Sequence, residues 1–330
     1  MSVRLALAAG EGGLALPETG PLVVFHPRAG TDLTVLPRDR CLLVQPFRPD
    51  YETFATAGWT VDWHLPAGQR CAAALVFVPR AKRQAQALIA QAAACCDGLV
   101  VVDGAKTDGT DSLWREVRKR VPVLGSLSKA HGRIFWFKAD AEAFADWVAP
   151  EAQAIEGFVT APGVFSADGI DPASRLLVES LPPHLGAHVA DLGAGWGYLS
   201  THLLQDDRLK SLEVVEADRI ALSCAEQNIH DPRARFHWAD ATRFKPDQPL
   251  DAVVMNPPFH TERSADPGLG QAFITAAARI LSPRGQLWLV ANRHLPYETV
   301  LARAFVEHRE VAGDNRFKIL QAARPVRSRG

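Results

Sequence analysis

At 330 residues the chain is long enough for two domains with a core each. Its composition, 47% hydrophobic and 22% charged with a net charge of −1, is that of an ordinary α/β protein, and any binding of nucleic acid must come from local basic patches rather than a global field. The apolar run after Arg4 stops at Glu11 and no run reaches the length of a membrane span, so a cytoplasmic protein with no membrane segment is expected.

Residues 1–150 read as alternating short strands and helices. Strands are expected at 22–25, 42–44, 59–63 and 75–78, then a helix from Lys82, a strand at 99–102, a helix at 112–120 and a strand at 133–137. Two basic clusters, Arg80, Lys82 and Arg83, then Arg115, Arg118, Lys119 and Arg120, are the densest in the chain and are candidates for phosphate contacts. Cys41, Cys71, Cys95, Cys96 and Cys224 form no CxxC pair, and their odd number argues against a disulfide framework. The eleven histidines show no ligand spacing, and no metal is expected. A linker follows around 147–151. The Gly- and Asp-punctuated stretch from Gly163 to Ser174 then precedes an amphipathic helix, at a position from which it could fold over a pocket.

The next stretch carries the chemistry. A strand through Val189, Ala190 and Asp191 runs into Gly193, Gly195 and Gly197, three alternate glycines before a helix, where the backbone can approach a nucleotide-like ligand closely. A second strand closes on Glu216, about twenty residues past the glycines, where nucleotide-binding α/β folds place a carboxylate for ribose hydroxyls. A third, at 234–238, leads to Asp240, and a fourth, at 251–255, leads to Asn256-Pro257-Pro258-Phe259. Ligands of open α/β sheets bind at such carboxyl ends, so both loops are expected to face one pocket.

A glycine loop alone would also suit a nicotinamide dehydrogenase. Hydride transfer has no use for Asn-Pro-Pro-Phe, whereas methylation of an amine does. The exocyclic amine of a nucleobase is a poor nucleophile because its lone pair is delocalised into the ring. Two acceptors on its N–H bonds, the Asn256 side-chain oxygen and the Pro257 carbonyl, would favour a pyramidal nitrogen aimed at a methyl donor. Proline holds that carbonyl in place, and Phe259 offers a face for base stacking. Transfer from a sulfonium is then an in-line displacement that needs positioning and no strong base. Beyond Phe259 come a polar, glycine-rich loop, a helix at 271–281, a turn at 282–285 and a strand at 286–290, and the chain ends basic with Arg324, Arg327 and Arg329.

The two halves resemble each other. Val76-Phe77-Val78-Pro79 sits where Val254-Met255-Asn256-Pro257 sits, Gln86-Ala87-Leu88-Ile89 matches Gln271-Ala272-Phe273-Ile274, and Gly98 begins a strand as Gly285 does. The expectation is a duplicated domain whose first copy has lost the chemistry. On this alignment Val78 replaces the asparagine, Gln45 stands near the ribose carboxylate's place, and no triple-glycine loop follows the first strand.

Asp191-Leu192-Gly193-Ala194-Gly195 together with Asn256-Pro257-Pro258-Phe259-His260 resembles class I S-adenosylmethionine-dependent methyltransferases acting on exocyclic amines. Gly163-Val164-Phe165-Ser166 with Gly169-Ile170-Asp171, the stretch from Ala291 to Tyr297, and Arg316-Phe317-Lys318 narrow the resemblance to the bacterial small-subunit rRNA guanine-N2 methyltransferases, the RsmC family. It is specific over 157–325 and looser over 1–150. It implies an α/β fold of two tandem Rossmann-like methyltransferase domains: a degenerate one at 1–150, aiding RNA binding and stability, and a catalytic one at 151–330.

The implied reaction is methyl transfer from S-adenosylmethionine to the N2 amine of a guanine in 16S rRNA, by a monomer whose partner is rRNA or the small ribosomal subunit. Asp191, Gly193, Gly195 and Gly197 would shape the site for the donor's methionine end, Glu216 would hold the ribose and Asp240 the adenine amine. Asn256, Pro257, Pro258 and Phe259 would hold the guanine, with Asn256 also bordering the cofactor. The stretch from Ala105 to Gly109 follows the family pattern only in part. Competing readings are the same chemistry on a large-subunit rRNA guanine, an adenine N6 or a release-factor glutamine, and a non-catalytic RNA-binding assembly factor.

Overall fold

The computed structural model describes residues 3–150, 152–258 and 267–327. The chain divides into two compact units, Met1–Glu151 and Ala152–Gly330.

In the first unit the described strands are β1 (Leu22–Phe25), β2 (Cys41–Val44), β3 (Thr60–Asp62), β4 (Cys71–Phe77), β5 (Cys96–Ala105), β6 (Val123–Lys129) and β7 (Gly132–Lys138). They form one sheet in the order β3-β2-β1-β4-β5-β7-β6, parallel from β3 to β5 and closed by an antiparallel hairpin. The second unit opens with a small hairpin, β8 (Gln153–Ile155) and β9 (Phe158–Thr160). Its sheet is built from β10 (His188–Leu192), β11 (Ser211–Glu216), β12 (Ala234–Trp238), β13 (Leu250–Met255), β14 (Leu281–Asn292), β15 (Phe305–Gly313) and β16 (Phe317–Pro325). The order β12-β11-β10-β13-β14-β16-β15 repeats that of the first unit strand for strand.

Burial on both faces explains the near-continuous apolar runs of the parallel strands. Ala190, Leu192, Val215, Val253 and Met255 pack against Phe273 and Ile274 of the helix Pro267–Ile280. Val189, Leu212, Val214 and Val254 pack against Leu177, Leu199 and Leu222 on the opposite face. Each fully buried Val, Leu, Ile, Phe or Met side chain among these contributes about 1.5–3 kcal/mol relative to exposure.

The pairing register aligns the two copies independently of sequence. Cys71 pairs with Cys96 as Leu250 pairs with Leu281, and each pair is followed by a bulge after which Ala73 faces Leu99 as Ala252 faces Gln286. Counting along β4 and β13 from these anchors puts Phe77, not Val78, at the place of Asn256. The prolines after each strand misaligned the copies by one residue, because pairing sets register and loop residues do not.

Other differences lie at element ends and edges. The helix expected at 112–120 is Thr110–Val117, and the one expected at 271–281 begins at Pro267. The expected turn at 282–285 is the bulged start of β14. The β15–β16 hairpin went unforeseen because β15 is an edge strand, exposed from Val306 to Glu310, and carries no alternating pattern. All five cysteines are buried thiols. No described helix is long and apolar enough to cross a membrane.

Candidate active site

The sheet order places β12, β11, β10 and β13 side by side, so Asp240, Glu216, Asp191 and Asn256 stand in a row along one edge. Three strand spacings make that row about 14 Å long.

Asp191 is wholly buried near the end of β10, between Val214 and Val254. Its Oδ2 accepts from the Ser200 hydroxyl at 2.7 Å, while Oδ1 is buried with no hydrogen-bond partner. Desolvation is the largest cause of its pKa being pushed up to about 7, opposed by Ser200 and reinforced by the charge of Glu216. A cationic group beside the orphaned oxygen would offset the desolvation and favour the ionised carboxylate.

The loop after β10 turns back on three left-handed glycines, Gly193, Gly195 and Gly197, at φ of +75°, +58° and +92°. At Gly197 space is tight as well, since a Cβ would lie 2.8 Å from Ile229 Cδ1 and 3.2 Å from Ala225 Cβ, and those neighbours would have to shift. The Gly193 and Ala194 N–H groups donate to the Val215 carbonyl, which ties the loop to β11. Gly195 N–H donates to Glu216 Oε2 and Asp218 N–H to Glu216 Oε1, each at 2.8 Å. Glu216 thus braces the glycine loop, and each carboxylate oxygen keeps a lone pair for a hydroxyl. Burial raises its pKa against these backbone donors, and burial followed by the Glu216 charge lifts the neighbouring Asp218 to about 7.

Asp240 sits just beyond β12, its Oδ1 accepting from Thr242 N–H at 2.8 Å and from Thr242 Oγ1 at 2.6 Å. This turn fixes the carboxylate at the far end of the row.

The segment ahead of β10 reaches the same site. Phe165, Ser166, Asp171 and Ser174 line one cavity with the glycine loop and Asn256. The segment is tied down by Trp196 Nε1 donating to the Phe165 carbonyl at 3.0 Å, and by the Asn228 amide bridging the Val159 and Trp196 carbonyls at 2.9 and 2.8 Å. Asn256 is half-buried, Pro257 buried and Pro258 exposed. Phe259 lies outside the described residues.

The Asn256 Nδ2 donates to Asp171 Oδ2 at 2.9 Å and to Ser174 Oγ at 2.8 Å. Sequence reasoning missed these partners and Ser200. Asp171-Pro172-Ala173-Ser174 carries a helix-start signal, yet nothing in it announces a contact 85 positions along the chain.

The basic clusters of the first unit are partly consumed internally. Lys82 pairs with Glu116 and Arg120 with Asp146, while the Arg118 guanidinium carbon lies 4.6 Å from the Trp114 ring centroid.

Known proteins share this architecture. The sequence pattern of the methyltransferase small domain family matches residues 156–321. A ribosomal RNA large subunit methyltransferase G from Streptomyces coelicolor is 36% identical over 49% of this chain and 44% of its own. The chain therefore spans less than half the length of the first curated relatives it matches. A ribosomal RNA small subunit methyltransferase C from Hahella chejuensis is 27% identical over 80% of each chain. The structure of a T. thermophilus 16S rRNA guanine-N2 methyltransferase (RsmC), in complex with AdoMet and guanosine, superimposes with a TM-score of 0.77 at 25% identity, covering 94% of this chain and 90% of that one.

Proposed function

We infer that this chain, which belongs to the methyltransferase small domain family, transfers a methyl group from S-adenosylmethionine to the exocyclic N2 amine of a guanine in 16S rRNA. The observation that carries the reading is the meeting of the glycine loop and Asn256 in one cavity. A nucleotide-shaping loop and an amine-holding motif have a common use only if a donor and an amine meet there.

The residues present fit the donor. Asp191 Oδ1, buried without a partner, suits the α-ammonium of its methionine end beside the backbone of Gly193, Gly195 and Gly197. Glu216 would take the ribose hydroxyls and Asp240 the adenine amine. When bound, S-adenosylmethionine supplies the electrophilic methyl group. On the acceptor side, Asn256 Oδ1 and the Pro257 carbonyl take the two N–H bonds of the guanine amine, Pro258 stiffens the turn, and Phe259 stacks on the base. Stacking of this kind is worth about 1–3 kcal/mol per base. A guanine inside a duplex cannot reach such a cavity, so the target is unpaired or flipped out.

Small-subunit rRNA is favoured over the large subunit because the small-subunit relative from H. chejuensis and the T. thermophilus structure match across both copies. The large-subunit relative from S. coelicolor matches over about half the chain. The partner is then rRNA or the small subunit, met in the cytoplasm by a monomer whose first unit aids binding. The test is mass mapping of rRNA nucleotides from cells lacking this protein, complemented with the wild type or Asn256→Ala. One N2-methylguanine of 16S rRNA should disappear on deletion and return only with the wild type. Loss of the acceptor should lower turnover about 10²- to 10³-fold. A modification restored in full by Asn256→Ala would reduce the motif to a turn, and one mapped to 23S rRNA would reassign the substrate.

A further inference from the structure

We propose that Asp171 and Ser174 are positioning residues that fix the orientation of the Asn256 side-chain amide, and with it the acceptor offered to the target amine. The proposal rests on the methyl-transfer reading above. An asparagine amide is nearly isosteric about its end-for-end flip, so catalysis by its oxygen requires something to decide which end faces the substrate.

The decision follows from the donor and acceptor inventory. An ionised carboxylate only accepts. Asp171 Oδ2 lies 2.9 Å from the end of the Asn256 side chain and also takes the Ser174 N–H at 2.8 Å, so the Asn256 group facing it is the NH2. The second hydrogen of that NH2 goes to Ser174 Oγ at 2.8 Å. Both donors are thereby used, and Oδ1 turns away from the pair, where no described residue donates to it. Flipping the amide would set its oxygen against the Asp171 carboxylate and lose that bond. The Ser174 hydroxyl can partner either end of the amide but the carboxylate only the NH2, so Asp171 decides the orientation and Ser174 holds it.

The holding pair is itself held. Asp171 caps the helix Pro172–Ser180, Pro172 is that helix's first residue, and Ser174 is 7% exposed within the core that packs on the sheet. The helix thus delivers one carboxylate and one hydroxyl, three residues apart, to the end of β13. The polar stretch ahead of the glycine loop acquires a specific task. It sets a rotamer in the catalytic motif.

The full chain labelled with nitrogen-15 on asparagine gives a reading that needs no activity. The Asn256 side-chain protons should exchange about tenfold or more slowly than those of an exposed asparagine, and Ser174→Ala should bring them back toward that rate. In steady-state assays on rRNA, Ser174→Ala should lower kcat about tenfold and Asp171→Leu about a hundredfold, with the KM for S-adenosylmethionine little changed. Ser174→Ala leaves the helix cap on the Ser174 N–H intact, so a loss there is not a folding defect. Asp171→Asn keeps an acceptor oxygen and should lose far less than Asp171→Leu.

The strongest arm is a swap. Asn256→Asp sets two carboxylates against each other, and adding Asp171→Asn removes that repulsion while an acceptor stays on the Ser174 N–H. The double variant should therefore turn over faster than Asn256→Asp alone. Wild-type kcat in both Ser174→Ala and Asp171→Leu, free exchange of the Asn256 amide, or strict additivity of the swap would each overturn the proposal. A held amide in a protein that methylates no rRNA would leave the positioning geometry standing and overturn the functional reading instead.

Discussion

Replacing Asp191 with asparagine should stabilise the ligand-free protein above neutral pH while abolishing its affinity for S-adenosylmethionine. The carboxyl is wholly buried, with the Ser200 hydroxyl on one oxygen and no partner on the other. Desolvation lifts its pKa from 3.8 to about 7. Folding therefore favours the protonated form, whose stabilising contribution is complete below pH 3.8 and lost as pH rises through about 7. Each tenfold change in proton affinity is worth about 1.4 kcal/mol, so the loss across that window is about 4 kcal/mol. Asparagine carries no charge to desolvate, but its buried NH2 lacks an acceptor, which costs about 1–3 kcal/mol. The variant should thus be less stable than the wild type near pH 4 and more stable by about 1–3 kcal/mol above pH 7, the two curves crossing between. Urea denaturation at several pH values measures this directly, and taking the difference between the proteins cancels Asp218 and the other acids. Parallel curves would refute the reasoning, since they would mean that Asp191 ionises in the fold as readily as in the unfolded chain.

Glu216→Ala should weaken S-adenosylmethionine binding by about tenfold or more in titration calorimetry, because it removes both a hydroxyl acceptor and the brace on Gly195 N–H. Binding unchanged by this variant would detach Glu216 from the cofactor. Neutralising Arg83, Arg115 and Lys119 together should flatten the salt dependence of rRNA binding while leaving cofactor affinity alone, with each lost phosphate contact reducing the slope by about one. An unchanged slope would mean that RNA docks elsewhere.

What was legible in the sequence were the features that local chemistry dictates. Alternate glycines after an apolar strand, a carboxylate closing the next strand and a rigid Asn-Pro-Pro all act within a few residues of themselves, so their spacing announces them. Relations set by pairing were hidden. Phe77 takes the place of Asn256 because Cys71 pairs with Cys96 as Leu250 does with Leu281, a fact about register that the neighbouring prolines disguise. Edge strand β15 was silent because almost nothing on it is buried. The Asp171, Ser174 and Asn256 cluster was silent for a different reason. Its members read locally as a helix cap and a turn, and only the sheet brings them together.

The register also shows what separates the two copies physically. Gly193 N–H donates to Val215 O as His26 N–H donates to Val44 O, which aligns Val24 with Asp191, His26 with Gly193 and Gln45 with Glu216. Where the second copy buries a carboxylate with an unpartnered oxygen, the first buries a valine. Where Glu216 braces a glycine loop, the amide of Gln45 closes onto the Pro27 carbonyl at 2.7 Å, a bond made without a charge on residue 45. Phe77 offers a hydrophobic surface in place of the Asn256 amide. Each exchange removes a charged or oriented polar group from the carboxyl edge of the sheet, and each spares the fold a desolvation penalty. The site of the second unit is therefore maintained against stability rather than by it. Asp191→Asn takes the second copy one step toward the first, and the crossing of its stability curve with that of the wild type measures what the charge at the heart of the site costs.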